Sequence, residues 1–268
     1  MANKNGNQFP AWIIDAQQRV CSVTSTGQVT PRSDPGFAGD IGISEDGILW
    51  VVSRKADPDG GGAEIYWGTG DGQWNEINTP DPGGVKITGA GGRGCLYLTL
   101  GGDIWSMNTE SKGHLQKIAS KVTDIAFGES YLWAMFPPTL GAQPVLQYGT
   151  FAQMPFQWKV FPENPHPLHL TANASDFCYG LKNFKPVYFL LNGTTGQWAE
   201  GAKRGIQVSF KQVASGSPEH KKNLAYLVTT SANKDGNQTM KWQDGSPGTW
   251  VDAGFRAIRV QATYYVGP

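Results

Sequence analysis

The chain is poor in charge. Only 16% of its 268 residues are Asp, Glu, Lys or Arg, and 22 bases balance 22 acids to a formal net charge of zero. No run of Lys or Arg exceeds the pair Lys221-Lys222. Such a chain offers no electrostatic footprint for nucleic-acid phosphates or for an anionic membrane surface, so neither is expected as a partner. Cysteine is scarce as well. Cys21, Cys95 and Cys178 are odd in number and far apart. That argues against a disulfide framework and a Cys-based zinc site, and reads as three small buried hydrophobes. Long apolar runs are missing, with nothing near the about 18 residues of a membrane-spanning helix. The opening MANKNGNQFP has no apolar leader core. These absences predict a cytoplasmic protein without membrane insertion, and leave unconventional export open. An apolar period of 3.6 is also absent, which predicts few helices.

Glycine and aromatics are abundant: 35 Gly and 10 Trp. A Gly-rich chain that is also rich in aromatics is not disordered. It suits many short strands joined by tight turns. The stretch DIGISEDGILWVV (40–52) reads as two strands around an Asp-Gly turn, and EIYWG then QWNEI continue it to four. The phrase recurs. GGVKITGAGGRGCLYLTL, VTDIAFGESYLWAMF, LHLTANASDFCYGL and IQVSFKQVAS each open another four-strand group. An aromatic in the second strand marks the period: Trp50, Tyr97, Trp133, Tyr179, Tyr226 and Tyr264 or Tyr265. Four strands every 40 to 50 residues or so is the signature of a β-propeller.

The expected fold is therefore all-β, a six-bladed propeller of four-stranded blades forming a single domain over residues 1–268. Blades are placed at about 36–80, 84–119, 121–163, 167–203 and 205–253. A composite closing blade takes 254–268 together with 11–35. FRAIRVQATYYVGP is read as two strands at the C-terminal side, with RVCSVT and GQVTPRS supplying the missing pair. Joining first and last strands in one sheet removes the open edges of the ring.

A family resemblance rests on Asp40-Ile41, Gly47-Ile48-Leu49-Trp50-Val51-Val52, Ile65-Tyr66 and Gly72-Gln73-Trp74, echoed by Asp124-Ile125 and Leu132-Trp133. This pattern resembles tectonin-type propeller repeats. Tyr97, Tyr179 and Tyr226 replace Trp elsewhere, and Lys86 replaces the Asp. The resemblance implies a carbohydrate-binding propeller, with modified or bacterial sugars as ligands and a part in innate defence. Propellers host many functions, so the implication is one of fold.

The residues themselves point to candidate sites. Trp50 and Trp133 lie mid-strand between aliphatics and read as core. Trp74, Trp158, Trp198 and Trp250 open or precede the last strand of a blade, and three of them follow glutamine: Gln73, Gln157 and Gln197. A flat indole can carry the apolar face of a sugar while an amide takes a hydroxyl. Tyr66, Trp105 and Trp242, on third strands, are second-tier candidates. Several weak sites on one ring would gain avidity on a displayed glycan. The main expectation is thus a non-catalytic lectin for glycans, with no catalytic residues, no metal and no cofactor; an oligomer stays open. Two alternatives remain: a protein-interaction scaffold, and an enzyme or small-molecule site in the central channel. Asp40 and Asp124 are the channel carboxylates, read first as strand-end caps. His166-Pro-Leu-His169 is the only close histidine pair, and no G-x-S-x-G, H-E-x-x-H or P-loop is present.

Overall fold

The structure is a computed structural model. It describes residues 9–32, 37–56, 63–77, 79, 84–110, 116–128, 130–138, 144–151, 156–162, 167–172, 177–190, 193–197, 204–211, 224–243 and 250–262. Those residues form six four-stranded antiparallel sheets and no helix. The chain opens with β1 (Ala11–Ile14), β2 (Val20–Val23) and β3 (Val29–Pro31). Blade 1 is β4 (Ala38–Ile43), β5 (Leu49–Ala56), β6 (Ala63–Gly68) and β7 (Trp74–Ile77). Blade 2 is β8 (Gly84–Gly89), β9 (Gly94–Thr99), β10 (Ile104–Asn108) and β11 (Gln116–Ala119). Blade 3 is β12 (Asp124–Phe127), β13 (Tyr131–Phe136), β14 (Val145–Thr150) and β15 (Lys159–Val160). Blade 4 is β16 (Leu168–Ala172), β17 (Phe177–Lys182), β18 (Lys185–Leu190) and β19 (Thr195–Gln197). Blade 5 is β20 (Gly205–Lys211), β21 (Leu224–Asn233), β22 (Gly236–Gln243) and β23 (Val251–Ala257). The last strand, β24 (Arg259–Ala262), pairs with β1 and completes the sheet β24-β1-β2-β3.

The six-bladed ring with a composite closing blade is as the repeat predicts. The closure differs in detail, because three strands come from the start of the chain and one from its end. The reason lies in Ala11-Trp-Ile-Ile14, an apolar run that pairs on both sides. Ala11 stands opposite Val23 in β2 and opposite Ala262 in β24. Phe255 and Arg256, expected to open the closing blade, extend the outer strand of blade 5 instead. Tyr264 and Tyr265 lie outside the described residues. The fully buried Trp12 takes the place of the second-strand aromatic.

The innermost strands touch in series, β4 to β8, β12, β16, β20, β24 and back to β4, which closes the ring. The core is divided accordingly into six apolar wedges, one between each pair of neighbouring blades. Trp12, Trp50, Trp133, Tyr179 and Tyr226 each pack toward the blade that follows. Blade 2 departs from this rule. Tyr97 packs back beside Trp50, while Leu96 and Leu98 face forward onto Val122, Ile125 and Leu132. Successive strand residues point to opposite faces, so a one-residue offset reverses the aromatic. Aligning Tyr97 with Trp50 by type is therefore one residue out of phase. Trp50 and Trp133 are core, as expected, and their buried indole N–H groups have no hydrogen-bond partner among the described residues.

Blades 1 and 2 approach most closely at Gly89. A Cβ there would lie 1.7 Å from the Ile43 carbonyl oxygen and 2.3 Å from the Ser44 nitrogen. Both are backbone atoms of blade 1, so relief requires parting the blades. Gly89→Ala should therefore destabilise the fold by at least about 2 kcal/mol in chemical denaturation. Gly101→Ala, whose Cβ would come no closer than 3.7 Å to Thr99 Oγ1, is the control. It should stay within about 0.5 kcal/mol of wild type.

Candidate functional site

Antiparallel pairing gives each blade two ends. At one, the first strand begins and the second strand turns into the third; this is where the chain crosses from blade to blade. The other holds the turns from first to second and from third to fourth strands. We call them the crossover end and the far end.

The inner strands are sheet edges, and their channel-side backbone groups need partners from the next blade. Among the described residues five side chains supply them, two of them hydroxyls: Ser209 Oγ accepts the Ala262 N–H at 2.9 Å and Thr88 Oγ1 the Phe127 N–H at 3.4 Å. Asp40 Oδ2 accepts the Ile87 N–H at 2.9 Å. Asp124 Oδ2 accepts the Leu170 N–H at 2.7 Å. Gln207 Oε1 accepts the Val260 N–H at 2.9 Å, and its amide donates back to the Val260 carbonyl at 3.2 Å. These three are equivalent positions, opposite Val52, Met135 and Val228, each two residues past Trp50, Trp133 or Tyr226. Further bridges complete the set. Lys86 Nζ lies 2.5 Å from Asp124 Oδ1 and 2.6 Å from the Leu170 carbonyl, so one ammonium from blade 2 ties blades 3 and 4. Arg259 Nε stands 3.7 Å from Asp40 Oδ1 and joins the closing blade to blade 1.

These groups line a cavity of about 430 Å³ to which all six inner strands contribute. Its wall includes Val85, Thr123, Pro144, Pro167 and Leu168, and no residue of the first-to-second-strand turns, so it opens at the crossover end. Lys86 and Arg259 balance Asp40 and Asp124 inside it. Burial pushes the Asp40 carboxyl above the ordinary aspartate value, against the pull of Arg259, Lys86 and the Ile87 N–H. Burial also lowers the pKa of His169, helped by Lys86 and Arg259 and opposed by Asp124. His169 is therefore a neutral imidazole, on a backbone with φ of 53°. His166 lies outside the described residues. No three His, Cys, Asp or Glu side chains gather as a metal site among the described residues.

The sequence-predicted sugar residues are not brought together. Trp74 and Trp158 are half-buried beside exposed Gln73 and Gln157, at the far end of blades 1 and 3, away from the cavity. Trp74 packs against the wedge that holds Trp12. Trp158 stands among phenylalanines, 5.0 Å from Phe136 and 4.7 Å from Phe156 between ring centroids. Trp250 is 4% exposed and packs with Tyr179 and Leu227, which leaves its indole no face for a ligand. Tyr66 donates a short hydrogen bond to Glu64; burial first, then that bond, raises its pKa. Trp105 is half-buried beneath Lys117, whose Nζ is 5.6 Å from the ring centroid. Trp198 lies outside the described residues, and Gln197 and Trp242 are placed by backbone alone, in β19 and β22. Sequence reading missed Lys86, Gln207 and Arg259. Lys86 and Gln207 stand third in their inner strands, as Asp40 does, and Arg259 opens β24, a placement that only the register reveals.

Two outcomes test the clamps. Asp124→Ala removes the acceptor of Leu170 and the counter-ion of Lys86 together, and should cost about 2–4 kcal/mol in urea denaturation. Asp124→Asn, which keeps an acceptor, should cost less. For Asp40 the sign is opposite to the usual acid case. A carboxyl with a raised folded pKa binds its proton more tightly folded than unfolded. Its contribution is present below the ordinary aspartate value and is lost as pH rises through the folded value. The stability of wild type relative to Asp40→Asn should therefore fall as pH rises above about 4.

No family model matches the sequence, and no curated protein matches it. Solved structures do match in fold. The Pan2 WD40 domain of Neurospora crassa is 9% identical at a TM-score of 0.54, over 86% of this chain and 71% of that one. YCF48, solved bound to a D1 peptide, is 14% identical at 0.52, over 92% and 79%. A chain of the mitotic checkpoint complex is 13% identical at 0.51, over 83% and 67%. At these identities the likeness establishes the fold alone, a β-propeller.

Proposed function

We propose that this chain is a non-catalytic interaction propeller that holds a partner polypeptide on its crossover end, over the mouth of the central cavity. One observation carries the reading. Seven large apolar side chains are exposed among the described residues, and five of them, Phe37, Val85, Leu100, Leu168 and Phe184, stand at the crossover end. Val85 and Leu168 rim the cavity itself. The other two, Val160 and Val251, are on outer strands. An apolar rim around a polar pocket is the arrangement of a protein-binding face. Aliphatic Val and Leu offer little to a sugar, whose ring stacks on aromatics. The charges inside the cavity are spent across blade boundaries, which favours binding over catalysis. YCF48, similar in fold, was solved with a peptide bound.

Backbone geometry supports the same end. The non-glycine residues with positive φ among the described residues are Gln18, Phe37, Lys121, His169, Asn183 and Phe184, and all six lie there. Left-handed backbone at side-chain-bearing residues costs conformational energy and clusters at functional sites.

A carbohydrate reading, with the tectonin-type lectins as its pattern, keeps one specific support. Gln73-Trp74 and Gln157-Trp158 are two similar Gln-indole pairs at the far end, each with an exposed amide. The two readings use opposite ends of the ring, so substitutions separate them.

Peptides selected from a displayed random library against the whole chain should lose affinity by about tenfold or more on Val85→Asp/Leu168→Asp. They should keep it on Val251→Asp. Equal binding to wild type and the double variant would overturn the interaction reading. On a glycan array, a hit abolished by Trp74→Ala/Trp158→Ala but indifferent to Val85→Asp/Leu168→Asp would move the function to the far end.

A further inference from the structure

The β17–β18 hairpin of blade 4 breaks two local rules at once. Its two-residue turn, Asn183-Phe184, has φ of 53° and 65°. Two left-handed residues in succession make the hairpin turn whose second position belongs to glycine. A phenylalanine stands there instead, 38% exposed, so burial does not offset its strain. The strands that meet at this turn end in Lys182 opposite Lys185. Two like charges directly across a strand pair repel each other. Neither lysine has an ion-pair partner among the described residues.

The surroundings add positive charge. The Arg204 guanidinium stands 4.6 Å from the Phe184 ring centroid. The Gly205 N–H donates to the Phe184 carbonyl at 2.7 Å, and the Thr230 N–H donates to the Arg204 carbonyl at 2.9 Å. Arg204 is thus fixed between the hairpins of blades 4 and 5, and the second hairpin carries exposed Lys234 at its tip. Against four exposed bases, the one exposed carboxylate at these tips among the described residues is Asp235. The adjoining stretch 198–203 adds one acid and one base, Glu200 and Lys203, and leaves the balance as it is. A neutral chain therefore carries a basic sector, assembled from residues too far apart in sequence to form a run.

Resting on the interaction reading above, we propose that this sector is where the partner is recognised, and that the partner is an acidic polypeptide segment. Its carboxylates pair with Lys182, Lys185, Arg204 and Lys234, and one apolar or aromatic side chain packs on Phe184. The strained phenylalanine and the opposed lysines weaken the free fold; a ligand of that chemistry offsets both. Aliphatic Val85, Leu100 and Leu168 on the same end favour polypeptide over nucleic acid, whose bases stack on aromatic platforms.

The probe is a short fluorescent peptide of Glu and Asp around a central Phe, read by anisotropy with the whole chain. Controls are the same peptide with Gln and Asn for the acids, and oligothymidylate. The acidic peptide should bind more tightly than both, and weaken about tenfold as salt rises from about 0.05 to 0.3 M. Lys182→Glu/Lys185→Glu should reduce its affinity at least about tenfold. Phe184→Gly is the decisive variant. It supplies the residue the turn asks for, so it should raise the melting temperature while lowering the affinity. A merely structural phenylalanine would lower the melting temperature and leave affinity alone, which overturns the proposal. So would tighter binding of oligothymidylate, or library-selected peptides that need Val85 and Leu168 yet are neutral and indifferent to Phe184→Gly. That last result spares the interaction reading. Library peptides indifferent to every crossover-end variant sink both.

Discussion

Everything in this ring depends on satisfying the exposed edge of the inner strands. A four-stranded sheet standing alone has two open edges. The propeller turns the inner one toward a channel too narrow for another strand. The solution is side-chain to backbone clamping across blade boundaries: Asp40 to Ile87, Asp124 to Leu170, Gln207 to Val260. These three occupy alternate boundaries, from blades 1, 3 and 5 onto 2, 4 and the closing blade, and Thr88 adds a longer one from blade 2 onto Phe127 of blade 3. Charge bridges through Lys86 and Arg259 serve between them. Ion pairs thus join two of the three junctions between clamped pairs, blades 4 and 5 meet through the Gly205 N–H on the Phe184 carbonyl, and each pair carries a large aromatic facing forward in its wedge.

This constraint decides what the cavity is free to do. Polar groups enter the channel because the backbone needs them there, not because a ligand does. Asp40, Asp124, Lys86 and Arg259 are engaged before any ligand arrives, and their charges cancel. What stays unengaged is the rim, where Val85 and Leu168 face solvent, and the hairpin tips beyond it. On the interaction reading, recognition is thereby displaced outward from the pocket to the face around it. That is why the central cavity and the strained hairpin tip of blade 4 stand at the same end and are not the same place.

The period, the blade count and the core role of Trp50 and Trp133 were legible in the sequence, because they follow from local turn chemistry and strand alternation. The rest was hidden for specific reasons. Tyr97 looks equivalent to Trp50, but a one-residue offset puts it on the other face, and residue type carries no phase. The closing blade reads as two strands from each end because FRAIRV resembles an opening strand. The structure uses Phe255 and Arg256 in an outer strand and lets Ala11–Ile14 take a second partner. Asp40, Asp124 and Gln207 share one role without sharing a residue type, so a search for recurrence passes over Gln207. The tryptophans that recur beside last strands were conspicuous in sequence, yet Trp250 proves to be core, because a large side chain beside an outer strand also fills a wedge.

The basic sector was illegible because its residues are far apart in the sequence. Lys182, Lys185, Arg204 and Lys234 come from three separate stretches, and only the antiparallel return of each hairpin brings them to one end. The two ends of the ring also solve the same turn problem differently. At the far end, left-handed positions are filled by Gly47, Gly70, Gly72 and Gly92, which meet the demand at no steric cost. At the crossover end Gly102 and Gly236 do the same, but Gln18, Phe37, Lys121, His169, Asn183 and Phe184 fill further left-handed positions with side chains. On the interaction reading, a side chain retained at a turn that suits glycine, as Phe184 is, marks a position kept for contact and not for stability.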